Sequence, residues 1–454
     1  MQETETYVTG IGIVFLGTMA LLTWVLPRRL ALIPLLITTC YMPLGQMFII
    51  GGLHFQFFRI LLLVGWSRVF MRQESSALKL GRLDKVFIWW ALVTLVIGTL
   101  TQPSFDRFIN RSGEVYNAIG TFFLMRCWIR ELEDVIRLIR WLAWIIFPLA
   151  VLMIVEKFTS RNVFSVFGGV SEITAERDGK LRCQGAFRHP ILAGTYAATM
   201  FPLFVGIWFQ KGKNKWPAIV GGSSAIIATL AAQSSGAFLA LLVEVFSFGL
   251  WPLRDRMRLF RRGAVVSIVL LHLLMKAPVW FLIARMSDVV GGSGWYRSNI
   301  IDQAINHLGE WWLVGTRYTA HWSPGGETVP GNPGNMDIIN HYVSEGVDGG
   351  LLKLGLFVAL IVTCFKIIGR WTNPKNLLPF PQAIFAWSLG VALLGHCTSF
   401  FSVVYFDQII VMWFWLLACI CVLTPTMKIA FAGGKRFQSS AEPMSERRSV
   451  LAGL

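Results

Sequence analysis

Apolar runs of about 20 residues recur along the whole chain, and no other feature restricts its fold as strongly. Trp141–Val155, Ile219–Ala232 and Gly355–Phe365 belong to such runs, and there are about thirteen in all. A run of ~20 apolar residues matches the hydrocarbon thickness of a bilayer. In lipid the backbone must satisfy its own hydrogen bonds, so such runs become helices. Strands of a membrane barrel would be shorter and would alternate apolar with polar residues. The expected fold is therefore an all-α polytopic membrane protein with about 12–13 transmembrane helices. Only 15% of the 454 residues are charged and 55% are hydrophobic, with mean hydropathy +0.59. A soluble domain is nearer a quarter charged. Met1–Gly10 is acidic and lacks the basic start of a signal peptide, so no cleavable leader is expected.

The net charge of +16 raises the question of nucleic acid. Its placement excludes that class. Lys and Arg sit in short clusters between apolar runs, which is how membrane topology is encoded. With the N-terminus outside, 27 of the 41 basic residues fall in inner segments and 11 in outer ones. The expected topology is N-terminus periplasmic and C-terminus cytoplasmic. The chain then divides into N-terminal spans (1–156), a first periplasmic loop (157–189) and central spans (190–284). A large periplasmic loop (285–349), C-terminal spans (350–425) and a polar, disordered cytoplasmic tail (426–454) follow. Loops this long are usually functional. The second is rich in aromatics, among them Trp295, Trp311, Trp312 and Trp322, which suits folding at the membrane interface. No internal repeat is evident, which argues against an inverted-repeat transporter.

Cationic loops are disfavoured outside the membrane, so the arginines there point to an anionic ligand. Arg182 and Arg188 flank Gly185 and precede Pro190, a suitable first residue for a helix. A helix N-terminus adds positive potential beside guanidinium groups that match phosphate geometry. The arginines read either as a pyrophosphate clamp or as snorkelling side chains on lipid phosphate. Arg297 precedes an amphipathic stretch, Ile300–Leu308, and Arg59 stands at the outer end of the run 54–71. A charge at a span end is costly unless it is paired or faces a polar cavity. His341, in Asp337-Ile338-Ile339-Asn340-His341-Tyr342, is a candidate base for a hydroxyl proton, with Glu345 or Asp348 to orient it. His321 is a weaker rival. His54 and His307 have no obvious chemical partner, and His272 and His396 lie inside spans. The seven cysteines show neither metal spacing nor a disulfide framework.

In order and spacing these pieces resemble the O-antigen ligase/polymerase superfamily of bacterial envelope glycosyltransferases. The match runs over about residues 150–370. It consists of Glu156-Lys157-Phe158-Thr159-Ser160-Arg161-Asn162, then Arg182-x-x-Gly185-x-Phe187-x-His189-Pro190, then Arg297 with Gly315. Asn340-His341-Tyr342-Val343 with Asp348-Gly349-Gly350-Leu351 completes it. The family's last motif usually reads His-Asn-x-Tyr-Leu and then Glu-x-Gly-Leu. Aligned on Tyr342 and Gly350, Asn340 falls on the Asn, His341 stands two places after the His, and Asp348 replaces the Glu.

The resemblance implies a metal-independent, inverting glycosyl transfer at the periplasmic face of the bacterial inner membrane, without a cofactor. The donor would be a glycan on undecaprenyl pyrophosphate. Arg182, Arg297, Arg188 and Arg59 would bind its pyrophosphate, and His341, Asn340 and Asp348 would be catalytic. The acceptor would be a further glycan, as in an exopolysaccharide or O-antigen polymerase, or lipid A core, as in a ligase. Transfer to a protein hydroxyl is a third job within the family. Outside it, a lipid-linked oligosaccharide transporter predicts charges spread through the spans, and a scaffold of an envelope assembly complex predicts dispensable arginines.

Overall fold

The computed structural model describes residues 8–50, 53–101, 104–285, 294–323, 328–329, 332–376 and 378–439. Parts of the expected loop 285–349, most of the acidic N-terminal stretch and the end of the expected tail lie outside these residues. The described chain is predominantly helical. Its strands form three short antiparallel hairpins.

Five helices are long and apolar enough to cross a membrane: α4 (Arg82–Leu100), α6 (Leu132–Thr159), α7 (Pro190–Trp208), α13 (His341–Trp371) and α14 (Phe380–Ser399). A sixth arises if α9 (Ser235–Gly249) and the stretch Trp251–Leu274, bent by 80° from it, count as one span. These helices are those of a multi-pass membrane protein. The other described helices are α1 (Gly10–Val25), α2 (Ile33–Tyr41), α3 (Phe57–Met71), α5 (Phe105–Trp128), α8 (Lys215–Ala231), α10 (Met257–Leu274), α11 (Gly294–Asn306) and α12 (Leu308–Trp311). The last helix, α15 (Gln408–Ser439), runs into the stretch read from sequence as a disordered tail.

Two expected spans take other forms. Residues 30–50 contain the nine-residue α2 and then β1 (Met47–Ile50), paired with β2 (Leu53–Gln56). Pro43 follows the helix end, and a proline cannot continue the i→i−4 ladder. The expected span 263–284 ends as α10 at Leu274, ahead of Lys276 and Pro278.

The core is organised around α15. From Val411 to Leu423 every residue is buried, so this helix is apolar on all sides and packed on all sides. It touches α2, α5, α6, α7, α13 and α14. α7 packs on α8, α8 on α6, and α14 on both α7 and α9. Gly194 of α7 permits a close approach, since a Cβ there would lie 2.9 Å from the Cβ atoms of Ala232 and Ala237. The first turns of α7 and α9 are therefore neighbours. α13 packs on α4 and is interrupted at Gly349–Gly350, where Gly350 takes φ +71°. A Cβ at Gly350 would collide with the carbonyl oxygen of Leu313, which allows only glycine at this break.

Candidate functional site

The site begins with a hairpin. β3 (Ala175–Arg177) pairs with β4 (Lys180–Arg182) across Asp178-Gly179. Both turn residues have positive φ, 54° and 70°, as a two-residue type I′ turn requires. Arg177 faces Lys180 and Ala175 faces Arg182. Side chains two apart on a strand share a face, so Arg177, Lys180 and Arg182 lie on one side of the hairpin. Like charges so placed repel one another.

The loop that follows is tied down by buried groups. The Glu156 carboxylate accepts the backbone N–H of Gln184 at 3.0 Å and of Gly185 at 2.9 Å, and the Thr174 hydroxyl donates to it at 3.3 Å. Asn162 Nδ2 donates to the Gly185 carbonyl at 2.8 Å, and Gln408 Nε2 to the Ala186 carbonyl at 3.0 Å. The Cys183 N–H donates to the Ala231 carbonyl at 3.1 Å. Three helices thus hold one loop, and Gly185 supplies its left-handed residue at φ +56°. His189 ends it as the N-cap of α7, its Nδ1 accepting the Ile191 N–H at 3.2 Å.

Arg297 comes to this hairpin from α11, more than a hundred residues later. Its side chain is buried and reaches the first turn of α9, where Nη2 lies 3.7 Å from the position a Cβ would take on Gly236. Burial, with Arg177 and Arg182 nearby, pushes the Arg297 guanidinium down to about 10. Burial and then Arg177 lower Arg182, against the opposing pull of Asp178, which also pairs with Arg177 at 3.6 Å. Burial, then Arg182 and Arg177, push His189 down to about 4, so its imidazole is neutral at pH 7. The buried Nε atoms of Arg182 and Arg297 have no hydrogen-bond partner among the described residues. Three other arginines carry ion-pair partners: Arg28 pairs with Asp134 at 3.1 Å, Arg68 with Glu74 at 2.9 Å and Arg126 with Asp84 at 2.9 Å. Among the described residues no carboxylate lies within ion-pair distance of Arg59, Arg182, Arg188 or Arg297. The neighbouring N-termini of α7 and α9 add positive potential. Together these groups form a cationic recess suited to a multivalent anion.

Arg59 lines a second region, and Arg188 acts on Asp407 within it. A cavity of about 200 Å³ is lined by Arg59, Asn117, Thr121, Gln46, Asp407 and Gln408 among others. Arg59 Nε donates to Asn117 Oδ1 at 3.0 Å and its Nη1 to the His54 carbonyl at 2.7 Å. Asp407, at φ +58°, has a buried Oδ2 with no partner among the described residues. Burial pushes its carboxyl up to about 6, against the opposing pull of nearby Arg188.

His341 opens α13 and is buried. Its N–H donates to the Phe400 carbonyl at 2.8 Å, and its ring packs on Phe400, Phe357 and Tyr405 with centroids 4.9, 5.1 and 5.5 Å away. Nδ1 accepts the Tyr405 N–H at 3.4 Å, and Nε2 is 4.0 Å from Glu345 Oε1. Asn340 is the N-cap of α13, accepting the Val343 N–H at 3.2 Å. Asp348 is bound by Arg111 and by Lys353 Nζ at 2.6 Å, with Arg107 at 3.7 Å. Lys353 also lies 3.6 Å from Glu345, which accepts the Trp90 indole N–H at 2.7 Å. The acid nearest His341 is thus Glu345, and Asp348 belongs to an ion network with Arg107, Arg111 and Lys353.

One segment joins these regions, and sequence reading passed over it as a two-residue gap between spans. In Phe400–Asp407, Phe400 and Tyr405 hold His341, and Ser402 sits against Gly236 beside Arg297. Asp407 meets Arg188 and the Arg59 cavity. Arg177 was also passed over; the Asp178-Gly179 pair, a hairpin signal, could have found it. No protein-family model matches this chain, and no curated protein matches it.

Proposed function

We propose that this protein is a membrane glycosyltransferase of the O-antigen ligase/polymerase type, in the bacterial inner membrane. It transfers a glycan from undecaprenyl pyrophosphate to an acceptor hydroxyl at the periplasmic face. The N-terminus is periplasmic, the C-terminus cytoplasmic, and the remaining helices complete about 12–13 spans. The observation that carries this reading is the recess of Arg182 and Arg297 beside two helix N-termini: among the described residues neither guanidinium has a carboxylate within ion-pair distance, and Arg177, paired with Asp178 at 3.6 Å, adds a third cation at its edge. Such a recess fits the pyrophosphate of a lipid-linked donor.

In the reaction the acceptor oxygen attacks the anomeric carbon. The carbon–oxygen bond to phosphate breaks, and its electron pair leaves with the pyrophosphate. Arg182 and Arg297 stabilise the charge that develops there, without a metal. The acceptor proton needs a base. His341 Nδ1 accepts the Tyr405 N–H, so the neutral ring carries its proton on Nε2, which can then donate but not accept. His341 accordingly acts as a positioning residue that holds Phe400–Asp407. Asp407, in the cavity and titrating near pH 6, is the carboxylate suited to take the proton. Asn340 starts α13, and Asp348 with Lys353 braces its break. Arg59 lines the cavity and Arg188 lies near its Asp407, and both steer the anionic donor. The product is most simply a longer exopolysaccharide or O-antigen chain; lipid A core is the alternative acceptor.

The test is the purified protein in liposomes with undecaprenyl-pyrophosphate-linked repeat units. Released undecaprenyl pyrophosphate and glycan length are the readouts. A ladder of longer glycans, lost in Arg182→Ala, Arg297→Ala and Asp407→Asn, supports a polymerase. Turnover only with added lipid A core makes it a ligase. Movement of lipid-linked sugar across the bilayer without turnover overturns the enzyme reading.

A further inference from the structure

Three side chains outside the arginine recess converge at the start of α12. His307 is the residue before that helix, Glu310 lies three residues on, and His321 sits in a 3-10 turn, Ala320–Trp322. One ligand atom from each lies within 4.8 Å of the others. We infer that His307, Glu310 and His321 form a binding site for one divalent transition-metal ion of the zinc type, with a fourth position open to solvent.

Geometry and chemistry both favour this. Bonds of ~2.0 Å in a tetrahedral arrangement put ligand atoms about 3.3 Å apart. His321 Nε2 already stands 3.1 Å from each oxygen of Glu310, so an ion between them requires only a small movement. Two imidazoles and a carboxylate suit Zn²⁺ and its neighbours, whereas Mg²⁺ and Ca²⁺ prefer all-oxygen sets. A salt bridge between His321 and Glu310 would explain two of the three groups, and the second imidazole is left over.

Each ligand is also held from behind, as ligands of a metal usually are. His307 Nδ1 lies 2.9 Å from the Gln303 carbonyl oxygen; donating its proton there leaves Nε2 with a free lone pair. The Trp322 indole N–H donates to Glu310 Oε2 at 3.1 Å. Trp322 stacks on His307 with centroids 5.2 Å apart, and Tyr318 stacks on His321 at the same distance. His321 and Glu310 are exposed by 40% and 39%, which keeps one side of the site open to water. Between the ligands runs the turn Trp311–Gly315, which packs on the Gly349–Gly350 break of α13. An ion would close the segment 307–321 into a loop and fasten that turn in place. This inference does not rest on the glycosyl-transfer reading, which uses none of these residues.

The experiment titrates the full-length protein, free of any histidine tag, with ZnCl₂ in detergent and measures bound zinc per chain. The expected result is one zinc, with affinity reduced at least tenfold in His307→Ala and in His321→Ala. CoCl₂ should give the visible absorption of a tetrahedral or five-coordinate site, lost in Glu310→Gln. Trp322→Phe, which keeps the stacking but removes the indole donor, should weaken zinc without removing it. Absence of zinc binding at tens of micromolar overturns the inference. So does binding that His307→Ala leaves unchanged, which would return His321 and Glu310 to a plain ion pair.

Discussion

Replacing Arg297 with methionine tests the central claim about the recess, that its charges await an anion. The change removes the guanidinium and keeps most of the apolar stem. The fall from 12.5 to about 10 measures how strongly burial and the neighbouring arginines oppose this charge. At ~1.4 kcal/mol per pH unit that is roughly 3 kcal/mol. Arg297 is only 7% exposed, so solvent screening reduces the figure little. At pH 7 the group lies below both values and stays protonated, so the native protein carries the whole cost. It would be relieved only above about pH 10. Arg297→Met should therefore raise the apparent melting temperature of the ligand-free protein, by up to about 3 kcal/mol in stability. Pyrophosphate should reverse the order. At 100 times its dissociation constant it stabilises the wild type by about 2.7 kcal/mol, and the variant far less. Tryptophan fluorescence during heating in nanodiscs, with and without pyrophosphate, reads both effects. A variant less stable than wild type without ligand, with an undiminished pyrophosphate shift, would refute the reasoning. Breaking a paired buried charge costs ~3–5 kcal/mol, and such a loss would mean that Arg297 has a protein partner.

Further predictions concern the supports of the site. Glu156→Ala leaves the Gln184 and Gly185 amides unbonded, at a cost of about 2–6 kcal/mol for two buried donors. Hydrogen exchange at those two amides should accelerate, and donor affinity should fall because Arg182 loses its fixed position. His189 is held down to about 4 from 6.5, so its contribution to stability is present above pH 6.5 and lost as pH falls through 4. His189→Asn keeps a capping side chain and should flatten the stability profile between pH 6.5 and 4, as chemical unfolding across that range would show; an unchanged slope would assign the acid lability elsewhere. Lys353→Met leaves Glu345 and Asp348 without their shared cation and should cost ~3–5 kcal/mol. Adding Glu345→Gln should recover part of that loss in a thermal melt, since Asp348 keeps Arg111 and Arg107.

Helices were legible in the sequence wherever apolar length alone decided the matter. α6, α7, α13 and α14 each contain or overlap an expected span, because a long apolar run has few other ways to satisfy its backbone. The breaks near Pro43 and Pro278 were missed, because the expected spans 30–50 and 263–284 were drawn from apolar length straight across them. The arginines stood out individually, since cations in outer loops require an explanation. Their grouping was not legible. Arg182 and Arg297 are separated by 115 positions, and no periodicity records which of the outer cations meet. That outcome depends on Gly194 bringing α7 against α9, on Glu156 and Asn162 fixing the loop before α7, and on α11 crossing to Gly236. Nor could spacing show that His341 would be enclosed by Phe400 and Tyr405, or that Asp348 would be taken up by Arg111 and Lys353. The sequence by itself determined the solvent this protein folds in, the helices that solvent demands and the kinds of charge left over. Tertiary structure alone decided which charges are paired and which are left to meet a ligand, because pairing depends on distances that only packing sets.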